Sequence, residues 1–97
     1  MELQKLLIPG LRLQHIGGKY ERYFVYVPKD FEKYLAKDAV YITTVVLDGR
    51  EVPVGPRRVS KKGNKLIITL PSNLKYLWDK YLYKKIDLVL ESNGLTP

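Results

Sequence analysis

The sequence predicts a mainly β domain with two short helices, in which two ββαβ repeats fold together around one core. The pattern of residues 57–91 predicts a basic strand, a glycine turn, an apolar strand, a proline, a short helix and an alternating strand. Residues 12–48 show the same order of signals with mostly different residues. When each residue n is aligned with residue n+43, these signals coincide over residues 22–47 without a gap. In a chain of 97 residues two separate cores would each be too small, so the repeats should share one.

The first repeat, residues 11–54, follows a short leader at residues 1–10 that ends in the turn signal Pro9-Gly10. Branched and aromatic runs predict its strands, glycine pairs predict its turns, and a proline before residues at helical spacing predicts its helix. The predicted elements are a strand at 11–16, a turn at Gly17-Gly18, a strand at 23–27, a helix at 29–37 after Pro28, a strand at 40–47, a hairpin at Asp48-Gly49 and a closing strand at 50–54.

The second repeat, residues 57–97, follows a connector in which Pro53, Gly55 and Pro56 predict a stiff break between the two halves. Its signals come in the same order as those of the first repeat. The predicted elements are a strand at 57–61, a turn at 62–64, a strand at 66–70, a helix opened by Pro71 with the stripe Leu74, Leu77, Trp78 and Tyr81, a strand with Ile86, Leu88 and Leu90 on one face, and a hairpin signal at Asn93-Gly94.

The net charge of +7 is unevenly placed along the chain. Residues 1–54 contain eight Lys and Arg against seven Asp and Glu, whereas residues 55–97 contain nine against three. A basic domain of this kind favours a polyanionic partner, nucleic acid first and an anionic membrane surface second. The alternative interpretation is that the lysines only keep the surface soluble.

Catalysis is poorly supported, and no cofactor or metal is expected. The chain has no cysteine, which excludes disulfides and thiolate chemistry and fits a cytoplasmic location. His15 is the single histidine, so it has no second imidazole or thiolate with which to complete a metal site. Gly17-Gly18-Lys19 lacks the spacing and the Ser/Thr ending of a phosphate loop. No apolar run approaches the roughly 20 residues of a membrane helix, and residues 1–10 lack a signal-peptide cleavage pattern.

The best candidate site is a cluster of cations on one strand and its turn. Its members are Arg57, Arg58, Lys61, Lys62 and Lys65, with a thinner counterpart in the first half made of Arg12, His15, Lys19 and Arg22. A pseudo-twofold axis between the repeats would bring the two groups side by side. Arginine can bind a phosphate or a guanine in bidentate fashion and lysine supplies a point charge. The alternative is a charge run that only solvates a β-turn.

Residues 57–91 resemble the AbrB/SpoVT family, the swapped-hairpin transcription factors that include the MazE-like antitoxins. The residues that carry the resemblance are Arg57-Arg58-Val59, Gly63, Leu66-Ile67-Ile68-Thr69-Leu70-Pro71, Leu74 and Ile86-Asp87-Leu88-Val89-Leu90. The resemblance implies that two such units interleave their hairpins into one barrel. It also implies DNA contacts from the first strand, the turn and the helix start, here Arg57, Arg58, Lys65 and Lys75, with Lys33 at the first helix.

We therefore expect a swapped-hairpin (double-split) β-barrel formed by both halves as an intramolecular pseudo-dimer, a monomer that binds double-stranded DNA as a small transcriptional regulator or chromatin-type protein. The expected DNA contacts are Arg12, Lys19, Arg22, Lys33, Arg57, Arg58, Lys61, Lys62, Lys65 and Lys75. An antitoxin-like interaction module ranks lower, because the chain ends a few residues after its last hairpin signal, without an acidic tail for a toxin. An RNA binder is the third interpretation. No membrane partner is expected.

Overall fold

Seven antiparallel strands and a few short helical turns make up the computed structural model, which describes residues 5–18 and 21–92. The prediction of a mainly β fold is confirmed. The strands are β1 (Lys5–Arg12), β2 (Gln14–Ile16), β3 (Arg22–Tyr26), β4 (Val40–Leu47), β5 (Arg50–Lys62), β6 (Lys65–Leu70) and β7 (Lys85–Glu91), and the helices are α1 (Lys29–Glu32) and α2 (Lys75–Trp78), the latter flanked by 3-10 turns at Ser72–Leu74 and Asp79–Tyr81. The strands form one curled sheet in the order β1-β7-β4-β5-β6-β3-β2.

Strand β5 belongs to both halves of the sheet, which corrects the predicted break between the repeats. Its first part pairs with β4 through Arg58, and its second part pairs with β6 from Val59 onwards. Pro53 lies in the part of β5 that pairs with β4 alone, an edge position of the kind in which a sheet tolerates proline. A register shift at Thr43/Thr44 absorbs the extra residue, and Gly55 takes a φ of 81° next to it.

Strand β1 replaces most of the predicted leader. Lys5–Arg12 pairs with β7 near the other end of the chain, and both Ile8 and Leu11 are buried. Pro9 and Gly10 form a bulge in this pairing rather than a terminating turn, and the Gly10 N–H donates to Asp87 Oδ1 at 2.9 Å. Residues 1–4 of the predicted leader and the hairpin signal at Asn93-Gly94 lie outside the described residues.

The strand registers repeat the 43-residue spacing that the sequence shows. Val25 pairs with Ile68 between β3 and β6, and Val45 pairs with Leu88 between β4 and β7. Each of these pairs joins residues that are 43 positions apart (25 to 68 and 45 to 88). When equivalent positions of two repeats pair with each other, a local twofold axis passes through the pair, so the two registers place such an axis at the centre of each half of the sheet.

The core lies inside the curl of the sheet and contains the inward residues of both halves. The alternation predicted for β7 is confirmed, because Ile86, Leu88 and Leu90 are buried, and Val45 and Leu47 of the predicted strand β4 are buried beside them. The hairpin signal at Asp48-Gly49 is also confirmed: both residues have positive φ and connect the paired ends of β4 and β5.

Both helices are shorter than predicted. In the first repeat α1 ends at Glu32 rather than at residue 37, and Tyr34 is 59% exposed. The chain turns back at Asp38, whose φ is 68° and whose N–H donates to Val59 O at 2.8 Å, so the segment after α1 is held by β5. In the second repeat Trp78 is fully buried and its Nε1–H donates to Pro71 O at 2.7 Å. None of the described helices is long and apolar enough to cross a membrane.

Candidate nucleic-acid interface

The outer face of the β5-β6-β3-β2 half of the sheet carries aromatic and basic side chains. Tyr23 and Val25 of β3 point into the core, so the alternate residues Phe24 and Tyr26 face outward. Phe24 is only 3% exposed, whereas Tyr26 is half-buried, and the two rings meet edge to face with centroids 5.2 Å apart. This pair forms the apolar floor on which the cations are arranged.

Lys62 and Lys65 stand at the tip of the β5–β6 hairpin, next to this floor. They pair across the two-residue turn Gly63-Asn64, in which Gly63 takes a φ of 62°. The Lys62 ammonium lies 6.0 Å from the Phe24 ring centroid and the Lys65 ammonium lies 5.1 Å from the Tyr26 centroid. The aromatic rings hold both lysine side chains over the face by cation–π contact while both residues remain exposed.

A first groove, of about 1050 Å³, lies between the start of β3 and the Pro71 turn. Arg22 and Arg57 line it, together with Thr69 of β6. The Arg57 Nε–H donates to Thr69 O at 2.7 Å and its Nη2–H donates to Thr69 Oγ1 at 2.8 Å. Burial lowers the pKa of Arg57, although a guanidinium stays protonated at any physiological pH. Arg57 is therefore a fixed cation, half-buried and part of the sheet as well as of the groove.

A second groove, of about 510 Å³, lies at a place that the 43-residue spacing relates to the first. Its cations are Arg12, Lys29 and Lys65. Lys29 was not predicted as a contact; it directly follows Pro28 as Ser72 follows Pro71. Six lining positions of the two grooves are related by the 43-residue spacing: Glu21 and Asn64, Arg22 and Lys65, Tyr26 and Thr69, Val27 and Leu70, Pro28 and Pro71, and Lys29 and Ser72.

Five of the predicted contacts lie outside both grooves: Lys62 at the hairpin tip, Lys75, and the three described next. Arg58 is exposed, and its Nη1–H donates to Asp38 O at 2.8 Å. Lys61 is exposed on β5, opposite Leu66. Lys33 follows α1, with its ammonium 5.2 Å from the Tyr34 ring centroid. Predicted contact Lys19 lies outside the described residues.

Lys75 is exposed and takes part in a polar network. Its Nζ is 3.0 Å from Asp79 Oδ2, 3.2 Å from Glu21 Oε2 and 3.3 Å from the Tyr23 hydroxyl. The Tyr23 hydroxyl donates to Asp79 Oδ1 at 2.6 Å. Hydrogen bonding to Asp79 raises the pKa of Lys75 and also that of Tyr23, while the hydrogen bonds from Tyr23 and then Lys75 lower the pKa of Asp79. Two carboxylates therefore lie within 3.2 Å of Lys75 Nζ and outweigh its charge.

His15 lies next to this network. Its Nε2 is buried, has no hydrogen-bond partner among the described residues, and is 3.8 Å from Glu21 Oε1. The His15 and Tyr23 rings are tilted against each other with centroids 4.8 Å apart. Residues 5–18 and 21–92 contain no group of three or more His, Cys, Asp or Glu that could hold a metal ion.

Arg57→Ala should lower the free energy of unfolding by about 1–3 kcal/mol, because it removes two hydrogen bonds made by a charged donor, one to Thr69 O and one to Thr69 Oγ1. Arg58→Ala is the matched control, since it removes an exposed neighbour with one hydrogen bond and should cost about 0.5 kcal/mol or less. Urea denaturation followed by circular dichroism measures both. Equal losses for the two variants would show that the Arg57–Thr69 contact does not stabilise the sheet.

No protein-family model, no curated protein and no solved structure matches this chain.

Proposed function

We propose that this protein binds double-stranded DNA through the outer face of the β5-β6-β3-β2 half of the sheet. One observation supports this more than any other: two cationic grooves lie at positions related by the 43-residue spacing, with Arg22 in one and Lys65 in the other. Proteins with a twofold axis bind duplex sites whose two halves are related by a matching axis. A single chain with an internal pseudo-twofold axis can therefore contact both strands of one site, as a small regulator or chromatin-type protein.

We further propose that the two ββαβ repeats close into a swapped-hairpin barrel of the AbrB/SpoVT kind, which acts as an intramolecular pseudo-dimer. The chain connections support this closure. Only Leu13 separates β1 from β2; it is buried, its N–H donates to Lys84 O at 3.1 Å, and its carbonyl accepts from Tyr83 N at 2.9 Å. The segment formed by β1 and β2 thus connects the two end strands of the sheet, and β5 connects the two halves of the sheet at its middle.

The geometry favours a duplex over a single strand. Proteins that bind single strands stack bases on exposed aromatic rings. Phe24 is 3% exposed and therefore offers no free ring face, and Tyr26 is partly covered beneath Lys65. Cations at the rims of the two grooves can instead contact backbone phosphates. The absence of cysteine fits a reducing compartment, and we propose that the protein acts in the cytoplasm.

A salt series tests the proposal. If about six phosphates are contacted, affinity for a mixed-sequence duplex should fall roughly a thousandfold between about 50 and 200 mM salt. Fluorescence anisotropy with a labelled duplex measures the slope, and single-stranded DNA and RNA of the same length serve as competitors. A salt-independent affinity, or a preference for either single strand, would contradict duplex binding.

A protein-interaction role is the second candidate, and a different surface favours it. On the outer face of the β1-β7-β4 half, Leu7 is 55% exposed and Ile42 is 40% exposed, and partly buried Val89 lies between β1 and β4. An apolar face of this kind fits a protein better than a polyanion. Co-purification with one defined partner that Leu7→Asp abolishes, in a protein without duplex affinity, would favour this role.

A further inference from the structure

The two grooves place their carboxylates differently, and the second groove is lined by Glu32 of α1. Glu21 lines the first groove, and its equivalent in the second groove is the neutral Asn64. Glu21 lies next to Arg22 in the sequence, so a carboxylate stands at the rim of a surface that is otherwise basic. A carboxylate in that place repels a phosphate and weakens the attraction that Arg22 and Arg57 exert on it.

Glu21 also forms an ion pair with Lys75, a cation that lines neither groove. Lys75 Nζ lies 3.2 Å from Glu21 Oε2 and 3.0 Å from Asp79 Oδ2. With both carboxylates ionised and His15 neutral, the group of Glu21, Lys75, Asp79 and His15 has a net charge of −1. The first repeat has Glu32 and Ala36 at the positions 43 residues before Lys75 and Asp79, so this group has no counterpart at the second groove.

His15 can change that charge by taking up a proton. Histidine is the side chain that ordinarily changes charge between about pH 5 and 8. Among residues 5–18 and 21–92, the charged and titratable groups near it are Glu21 before β3, Tyr23 on β3, and Lys75 and Asp79 on the helical segment. Protonated His15 would place a positive charge 3.8 Å from the Glu21 carboxylate, and the group would become neutral.

We propose that His15, Glu21 and Lys75 form a proton-controlled gate on the first groove, so that DNA phosphates bind there more tightly when His15 is protonated. The gate rests on the proposed function, since its ligand is the duplex backbone. Protonation of His15 gives the Glu21 carboxylate a second positively charged neighbour. The new charge offsets the repulsion between Glu21 and the phosphate, and it weakens the ion pair between Glu21 and Lys75. The second groove has Asn64 in place of Glu21 and binds without this control.

Duplex affinity at constant salt tests the gate. The wild-type protein should bind about threefold to tenfold more tightly at pH ~5.5 than at pH ~8, as expected for one added charge beside a phosphate. His15→Gln should remove that difference. Glu21→Gln should bind at the higher pH as tightly as the wild-type protein does at the lower pH. A pH-independent wild-type protein, or a His15→Gln variant that keeps the full difference, would overturn the gate.

Asn64→Glu is the matched control, because it places a carboxylate at the equivalent position of the second groove. It should weaken binding by a similar factor at both pH values, since no histidine faces it. Circular dichroism verifies that each variant is folded, and Glu21→Gln, at an exposed position, tests the gate even if His15→Gln fails to fold. Duplex binding that is equal at both pH values refutes the gate alone, whereas no duplex binding at either pH refutes the proposed function and the gate with it.

Discussion

Replacing Arg22 and Lys65 together with alanine should lower the affinity for duplex DNA about fiftyfold at 0.1 M salt, because two phosphate contacts would be lost. These residues are the first residues of β3 and β6, occupy equivalent positions 43 residues apart, and line different grooves. Losing two contacts should also reduce the slope of log affinity against log salt by about 1.8. Anisotropy titrations across a salt series give both quantities.

The melting temperature of this double variant should stay nearly unchanged, because both side chains are exposed. Lys80 and Lys84 provide a matched control: they are exposed, carry the same total charge, and line neither groove. Their replacement by alanine should reduce affinity far less. If both double variants lose the same affinity, net charge alone accounts for binding and the grooves are not the interface.

Trp78→Ala should lower the free energy of unfolding by about 3–5 kcal/mol. Trp78 is fully buried in the shared core, and its indole N–H donates to Pro71 O at 2.7 Å, so the variant loses both packing and a hydrogen bond. The total stability of a domain of this size is about 5–15 kcal/mol, and the melting temperature should fall by on the order of 20 °C.

Circular dichroism is the suitable measurement, because Trp78 is the single tryptophan and its fluorescence would be lost. Trp78→Phe keeps an aromatic ring in the core but removes the donor to Pro71 O, and it should cost clearly less than the alanine variant. A change below about 1 kcal/mol in Trp78→Ala would mean that the helical segment does not close the core that both repeats share.

Local signals were sufficient to predict the strands and tight turns from the sequence. The alternation of inward and outward residues in Val40–Leu47 and the turn residues Asp48-Gly49 each involve only a few neighbouring positions. They can therefore be recognised without knowledge of the fold. Strand β1 was not predicted, because Lys5–Arg12 finds its partner in β7, more than seventy residues away, and Pro9-Gly10 looks like a turn until that pairing absorbs it as a bulge.

The cations of the candidate site could be predicted from the sequence, but the contacts that they make could not. Arg22, Arg57 and Lys65 belong to groups of cations that lie close together in the sequence, and all three line a groove. That Arg57 is fixed on Thr69, twelve residues away, depends on the pairing of β5 with β6. The capture of Lys75 by Glu21 likewise depends on the approach of the helical segment to the β2–β3 turn. Contacts of this kind are set by tertiary packing and leave no pattern in the sequence.

The shared strand β5 has a consequence for where the polypeptide can be divided. A cut in the exposed hairpin between Asp48 and Gly49 would yield one fragment ending in β4 and another starting with β5. In the first fragment β4 would lose both of its neighbours, and in the second β7 would lose both of its own. Each fragment alone would expose unpaired backbone on both edges of a strand, whereas mixing the two would restore every ladder, as in a complementation assay.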